Sequence, residues 1–212
     1  MTKLHPSGTS SLTHLLRRNQ AWAARKVLGD PAFFKRLSAQ QRPSYFWIGC
    51  SDSRVPATEI VDLDPGEMFV HRNVANLAVA GDANFEAALA YAVDVLCVEH
   101  VIVTGHYGCG GVLAARDLKD DELGRWLATP HALYQRQCGS EEHRSPSKDH
   151  LCELNVLDQV ERLLKHPTIT RAWRAGRRAP WIHGWIYSIA DGLITELCAP
   201  IAPLPREVSS HG

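Results

Sequence analysis

Two short runs carry most of the chemistry-bearing residues of this 212-residue chain: Cys50-Ser51-Asp52-Ser53-Arg54 and His106-Tyr107-Gly108-Cys109-Gly110-Gly111. Two thiolates and one imidazole suit borderline-soft Zn²⁺, and a Cys2His set with an open fourth position is a catalytic arrangement. Cys50, His106 and Cys109 are therefore the candidate ligands, for one zinc per chain. Cys109 is expected at the first turn of a helix, where unpaired amides and the helix dipole favour a thiolate. If the segment after Cys50 stays extended, alternation sets Cys50, Asp52 and Arg54 on one side, so the carboxylate can address either the metal or the guanidinium. Asp52 on zinc closes the site; Asp52 on Arg54 leaves the fourth position to water.

Both runs leave the ends of predicted strands. Tyr45-Phe46-Trp47-Ile48-Gly49, Met68-Phe69-Val70 and Val101-Ile102-Val103-Thr104 are short apolar runs of the kind buried on both faces of a parallel sheet. Between the last two, Asp82 caps an apolar pattern through Phe85, Ala88, Leu89, Ala92 and Leu96, long enough for a parallel crossover and so for a βαβ unit. The runs thus reach the carboxyl edge of the sheet, where open α/β folds place their sites. Helices are further predicted over 9–28, 111–116, 122–129, 151–164 and 169–175, with a polar loop over 139–148. Trp181 to Tyr187 and Leu193 to Leu197 read as a hairpin through Asp191-Gly192. The fold class is α/β: a mostly parallel central sheet flanked by helices, with an N-terminal helical arm. One domain is expected, divided into an arm at 1–40, a catalytic core at 41–198 and an irregular tail at 199–212 that adds no core element.

Composition narrows the function. Lys plus Arg and Asp plus Glu both number 23, so nothing attracts nucleic acid or an anionic membrane. A small neutral partner fits better. The first stretch is too broken by charge for a signal peptide, and no segment is apolar enough to span a bilayer, which points to a cytoplasmic protein. Cys97, Cys138, Cys152 and Cys198 lack a partner pattern; Cys97 and Cys152 fall on apolar helical stretches where a small hydrophobe is ordinary. His100 and His183 border predicted strands and are assigned no role.

C-S-D-S-R followed by G-H-Y-G-C-G-G resembles the paired signature of the β-carbonic anhydrases, and His71-Arg72-Asn73-Val74-Ala75-Asn76 is similar too; the likeness runs from about Tyr45 to Gly192. The resemblance implies zinc on Cys50, His106 and Cys109, an Asp52 and Arg54 dyad, and a homodimer or homotetramer. It implies reversible hydration of carbon dioxide to bicarbonate and a proton by zinc-bound hydroxide, with Asp52 accepting a hydrogen bond from the water. Because two thiolates give zinc more negative charge than imidazoles do, activity is expected to rise toward alkaline pH. Trp47, Gly49, Arg72 and Tyr187 match positions lining a non-catalytic bicarbonate pocket in the regulated (type II) bacterial subgroup, implying pH- and bicarbonate-linked allosteric movement of Asp52 on and off zinc. The same residues also have plain structural uses, Trp47 as core and Arg72 as an ion-pair partner. Two alternatives share the scaffold: a non-catalytic zinc or bicarbonate sensor, and a carbon disulfide hydrolase. Past Leu197 the likeness departs, because the family often continues in helix where this chain enters a proline-bearing tail.

Overall fold

The computed structural model describes residues 12–138, 146–176 and 179–202. Contacts divide the chain into two compact units between Gln41 and Arg42. The first holds α1 (Thr13–Gly29) and α2 (Phe33–Ala39). Trp22 meets Phe34 edge-on, and Phe33 is the buried residue of α2.

The second unit is built on a five-stranded sheet of order β2-β1-β3-β4-β5: β1 (Tyr45–Cys50), β2 (Met68–Asn73), β3 (His100–His106), β4 (Trp181–Tyr187) and β5 (Ile194–Glu196). The first four strands run parallel and β5 returns antiparallel, closing the hairpin that Asp191-Gly192 predicts. Gly192 takes φ +78°, which glycine adopts freely. In β1 all but Tyr45 is buried, as expected of an interior parallel strand.

The helices are α3 (Ala83–Ala90), α4 (Gly110–Ala114), α5 (Glu122–Trp126), α6 (Ala128–Cys138), α7 (Lys148–Lys165) and α8 (Pro167–Ala175). The Asp82 carboxylate caps α3 by accepting from Asn84 N, and Ser147 caps α7 by accepting from His150 N. Four expectations change. The β2–α3–β3 connection passes over β1, because β2 and β3 lie on opposite sides of it rather than side by side. The helix expected over 122–129 ends as α5 at Trp126, and a separate α6 runs from Ala128 to Cys138, since Pro130 falls in its first turn, where no amide hydrogen is needed. Cys97 lies beyond the helix with left-handed backbone, φ 55°. In the tail, Ile201 bridges to Ile182 and packs on the core. Of the predicted polar loop, 139–145 lies outside the described residues and Lys148 opens α7.

Most of the core lies on the face covered by α3, α7 and α8, where Phe85, Leu89, Val156, Leu163 and Ile169 meet Phe46, Ile48, Val101 and Val103. A smaller cluster on the other face joins Trp47, Ala57, Met68 and Ile102. Two glycines admit α7 to the sheet: a Cβ on Gly105 falls 2.5 Å from Val156 Cγ2, and one on Gly184 falls 3.0 Å from Val160 Cγ2. Gly105→Ala is therefore expected to lower stability by about 1–3 kcal/mol through overpacking, read from urea unfolding; an unchanged midpoint would show that α7 shifts freely.

Candidate metal centre

Because β1 and β3 are neighbours, Gly49 stands opposite Thr104 and the strand ends deliver Cys50 and His106 to one edge. Gly108, at φ +66°, turns the chain back so that Cys109 becomes the N-cap of α4. Cys50 Sγ and Cys109 Sγ stand 3.7 Å apart, and with one ring nitrogen of His106 the three candidate ligand atoms lie within 4.8 Å of one another. Two thiolates on a tetrahedral zinc, at about 2.3 Å each, are separated by about 3.8 Å. His106 is wholly buried; its Nδ1 bonds the Tyr107 carbonyl at 3.1 Å, which requires the proton on Nδ1. Nε2 is left as a bare lone pair with no protein partner, a buried polar atom that a metal would satisfy. The donor set fits zinc.

The two sulfurs share a proton. A hydrogen bond with Cys109, supported by the amides of Asp52 and Ala75, draws the Cys50 thiol down to about 4. Cys109 moves the other way, raised by the same bond and by burial. The helix-start argument anticipates the thiolate at Cys109, but α4 is a five-residue helix, and a partner sulfur in contact outweighs it. Cys152 of α7 is buried near the Gly108 and Cys109 amides, its thiol pushed up by desolvation.

Asp52 and Arg54 do form a pair, though not by extended alternation. Val55 N bonds Asp52 O at 3.1 Å, so the segment is a turn, and Asp52 Oδ1 accepts from Arg54 N at 2.9 Å inside it. Side chains a turn apart can then meet: Arg54 Nε donates to Oδ1 at 3.0 Å and Nη2 to Oδ2 at 2.7 Å. The guanidinium holds the Asp52 carboxyl far below the usual carboxylate range. Asp52 Oδ2 remains 3.8 Å from His106 Nε2, beside the ligand atoms.

Segment 73–78, which continues the His71 to Asn76 run, packs against the centre. The Asn73 side chain closes on Leu77, accepting from its N–H and donating to its carbonyl, both at 2.7 Å. Ala75 and Asn76 hold left-handed φ of 70° and 51°. A Cβ on Gly111 would fall 2.7 Å from Val74 Cγ1 and 3.3 Å from Ala75 N, so the segment packs directly on the first turn of α4.

Register puts Trp47, Gly49, Arg72 and Tyr187 on one face of the sheet, Gly49 level with both Arg72 and Thr104. Trp47 is fully buried edge-on to Trp185, and a Cβ on Gly49 would lie 2.2 Å from its Nε1. Trp47 Nε1 and Thr104 Oγ1 are buried without protein partners. Arg72 is already engaged, donating to Cys50 O at 2.8 Å and to Asp52 O at 2.6 Å. Tyr187 is buried at the end of β4. His100 and His183, assigned no role, bond one another at 3.0 Å at the opposite end of the strands.

The profile of the family described as carbonic anhydrase matches residues 45–194. A carbonic anhydrase of Emericella nidulans is 38% identical over 204 residues, 91% of this chain and 89% of that one. One from Pseudomonas aeruginosa is 37% identical over 191 residues, covering 85% and 82%. Among solved structures, a β-carbonic anhydrase of Coccomyxa in complex with acetazolamide superposes with TM-score 0.86 at 33% identity, covering 91% of this chain and 89% of that one. A tetrameric β-carbonic anhydrase of Sordaria macrospora gives TM-score 0.82 at 35% identity, covering 90% and 98%.

The shared proton is directly measurable. In metal-free protein the ultraviolet absorbance of one thiolate per chain should persist from neutral pH down to about 4 and vanish in Cys50→Ser. Absorbance that appears only in the alkaline range of free thiols would contradict it.

Proposed function

This chain belongs to the β-carbonic anhydrase family, and from that premise we propose that its carbonic anhydrase activity runs on one zinc ion held by Cys50, His106 and Cys109, with Asp52 and Arg54 governing access to it. The observation that carries the reading is the pair of sulfurs 3.7 Å apart beside the unpartnered, buried Nε2 of His106. Bound zinc would supply Lewis acidity that makes water a nucleophile at moderate pH. The protein does the rest. Cys50 and Cys109 bring the negative charge, and the Tyr107 carbonyl fixes the His106 tautomer. Asp52, kept ionised by Arg54, offers an acceptor oxygen beside the ligand atoms, able to orient the attacking water toward the carbon of carbon dioxide. Held there, it also stays out of the ligand set, which favours an enzyme over a permanently closed sensor. Nor do the relatives, which are carbonic anhydrases, favour carbon disulfide hydrolysis.

We read Trp47, Gly49, Arg72 and Tyr187 as a bicarbonate site that regulates the dyad, as in the type II subgroup. Trp47 Nε1 and Thr104 Oγ1, buried and unpartnered on that face, support an occupant with acceptor oxygens. Coupling has a physical route: Arg72 holds the carbonyls of Cys50 and Asp52, so an anion competing for its guanidinium loosens the turn that presents Asp52 to Arg54. Among the described residues no helix is long and apolar enough to cross a membrane. We assign the chain, on sequence grounds and by analogy with the tetrameric Sordaria enzyme, to a cytoplasmic homodimer or homotetramer.

Stopped-flow carbon dioxide hydration on zinc-analysed protein should show one zinc per chain and activity rising from mildly acidic to alkaline pH. Asp52→Ala should keep the zinc and lose about 100-fold or more in rate; stoichiometric zinc without hydration at any pH would overturn the reading. Added bicarbonate should suppress the rate at mildly acidic pH beyond ordinary product inhibition. Trp47→Phe, which removes the indole donor and keeps the ring, should relieve that suppression, and undiminished suppression counts against the regulatory site.

A further inference from the structure

Helix α7 carries two polar side chains where its buried stripe calls for apolar ones. Asn155 and Gln159 are fully buried on the stripe formed by Leu151, Cys152, Val156, Val160 and Leu163. A buried amide side chain is costly unless its groups are paired. Here both reach the same target, the segment beside Cys50. Asn155 Nδ2 donates to Ala75 O at 3.0 Å, and Gln159 Oε1 accepts from Ala78 N at 2.9 Å.

The two amides are tied to each other and to the outer face of the helix. Gln159 Nε2 donates to Asn155 Oδ1 at 3.4 Å and to Asp158 Oδ2 at 3.1 Å, while Arg136 and Arg162 hold Asp158. The clamped segment contains the left-handed Ala75 and Asn76, a backbone state that non-glycine residues keep only where their surroundings over-determine it. Its Ala75 amide and Cβ abut the first turn of α4, 3.3 and 3.2 Å from the Cβ position of Gly111. Ser51 N bonds Asn73 O at 2.9 Å, fastening the start of the same segment to the residue after Cys50.

We propose that Asn155 and Gln159 are positioning residues of the metal centre: by gripping Ala75 O and Ala78 N they fix the wedge that sets the spacing of Cys50 and Cys109. The inference rests on the metal reading above and deepens it. Neither side chain touches the reacting atoms; each acts through the wedge.

Asn155→Leu keeps size but removes the bond donated to Ala75 O (Asn155→Asp can restore it as a protonated acid, and serves as the conservative rescue variant), and Gln159→Met removes the acceptor for Ala78 N at similar volume. Zinc affinity is measured by chelator competition, and cobalt(II) in place of zinc reports ligand geometry through its thiolate charge-transfer and ligand-field bands. Asn155→Leu and Gln159→Met should bind zinc about 10- to 100-fold more weakly and shift the cobalt bands. Leu163→Ala, equally buried on the same stripe but away from the wedge, should melt earlier with affinity and bands unchanged. Wild-type affinity and bands in Asn155→Leu and Gln159→Met, or an equal loss in Leu163→Ala, would overturn the proposal. If the unaltered protein takes up neither metal, the metal reading itself falls and the clamp falls with it.

Discussion

Two cysteine sulfurs held in contact inside a protein cannot both ionise without a positive charge between them. Two adjacent thiolates repel and are poorly solvated there; two neutral thiols leave weak donors and acceptors half used. At 3.7 Å, Cys50 and Cys109 resolve this by sharing one proton, a state that a divalent cation can replace at nearly the same spacing. Much of the fold answers to that contact. The adjacency of β1 and β3 brings the two strand ends together, Gly108 reverses the chain, and the segment 73–78 packs against both sides.

The same contact explains why the dyad sits where it does. Asp52 is close enough to the ligand atoms to compete for a cation, and Arg54 removes it from competition through two side-chain hydrogen bonds and a backbone one. The arginine side chain is more than half exposed while the carboxylate is largely sheltered. An ion pair so placed is strong enough to hold Asp52 and open enough to be exchanged.

Much of this was legible in the sequence, because short apolar strands ending in Cys50 and His106 announce both the sheet and its chemical edge. What escaped depends on three-dimensional adjacency. Nothing local to Met68 or Val101 says that β1 lies between their strands, and Pro130 looks like a stop unless it is known to fall in a first turn. Alternation misdescribed Asp52 to Arg54 because a side-chain acceptor in a turn competes with extended backbone. The wedge carries no glycine at Ala75 or Asn76 to betray its left-handed backbone. Asn155 and Gln159 did leave a trace: two amides four residues apart on an otherwise apolar stripe.

The order of these parts along the chain has a consequence for biosynthesis. Every candidate ligand lies between residues 50 and 109, whereas the amides that grip the wedge arrive at 155 and 159 and the last parallel strand begins at 181. A nascent chain exposes soft ligands well before it can enforce their geometry, since folding of a parallel sheet waits on distant partners. If those amides set the ligand spacing as proposed, the growing polypeptide could bind whichever soft metal is at hand during that interval, and fidelity for the right ion would be acquired only as α7 leaves the ribosome.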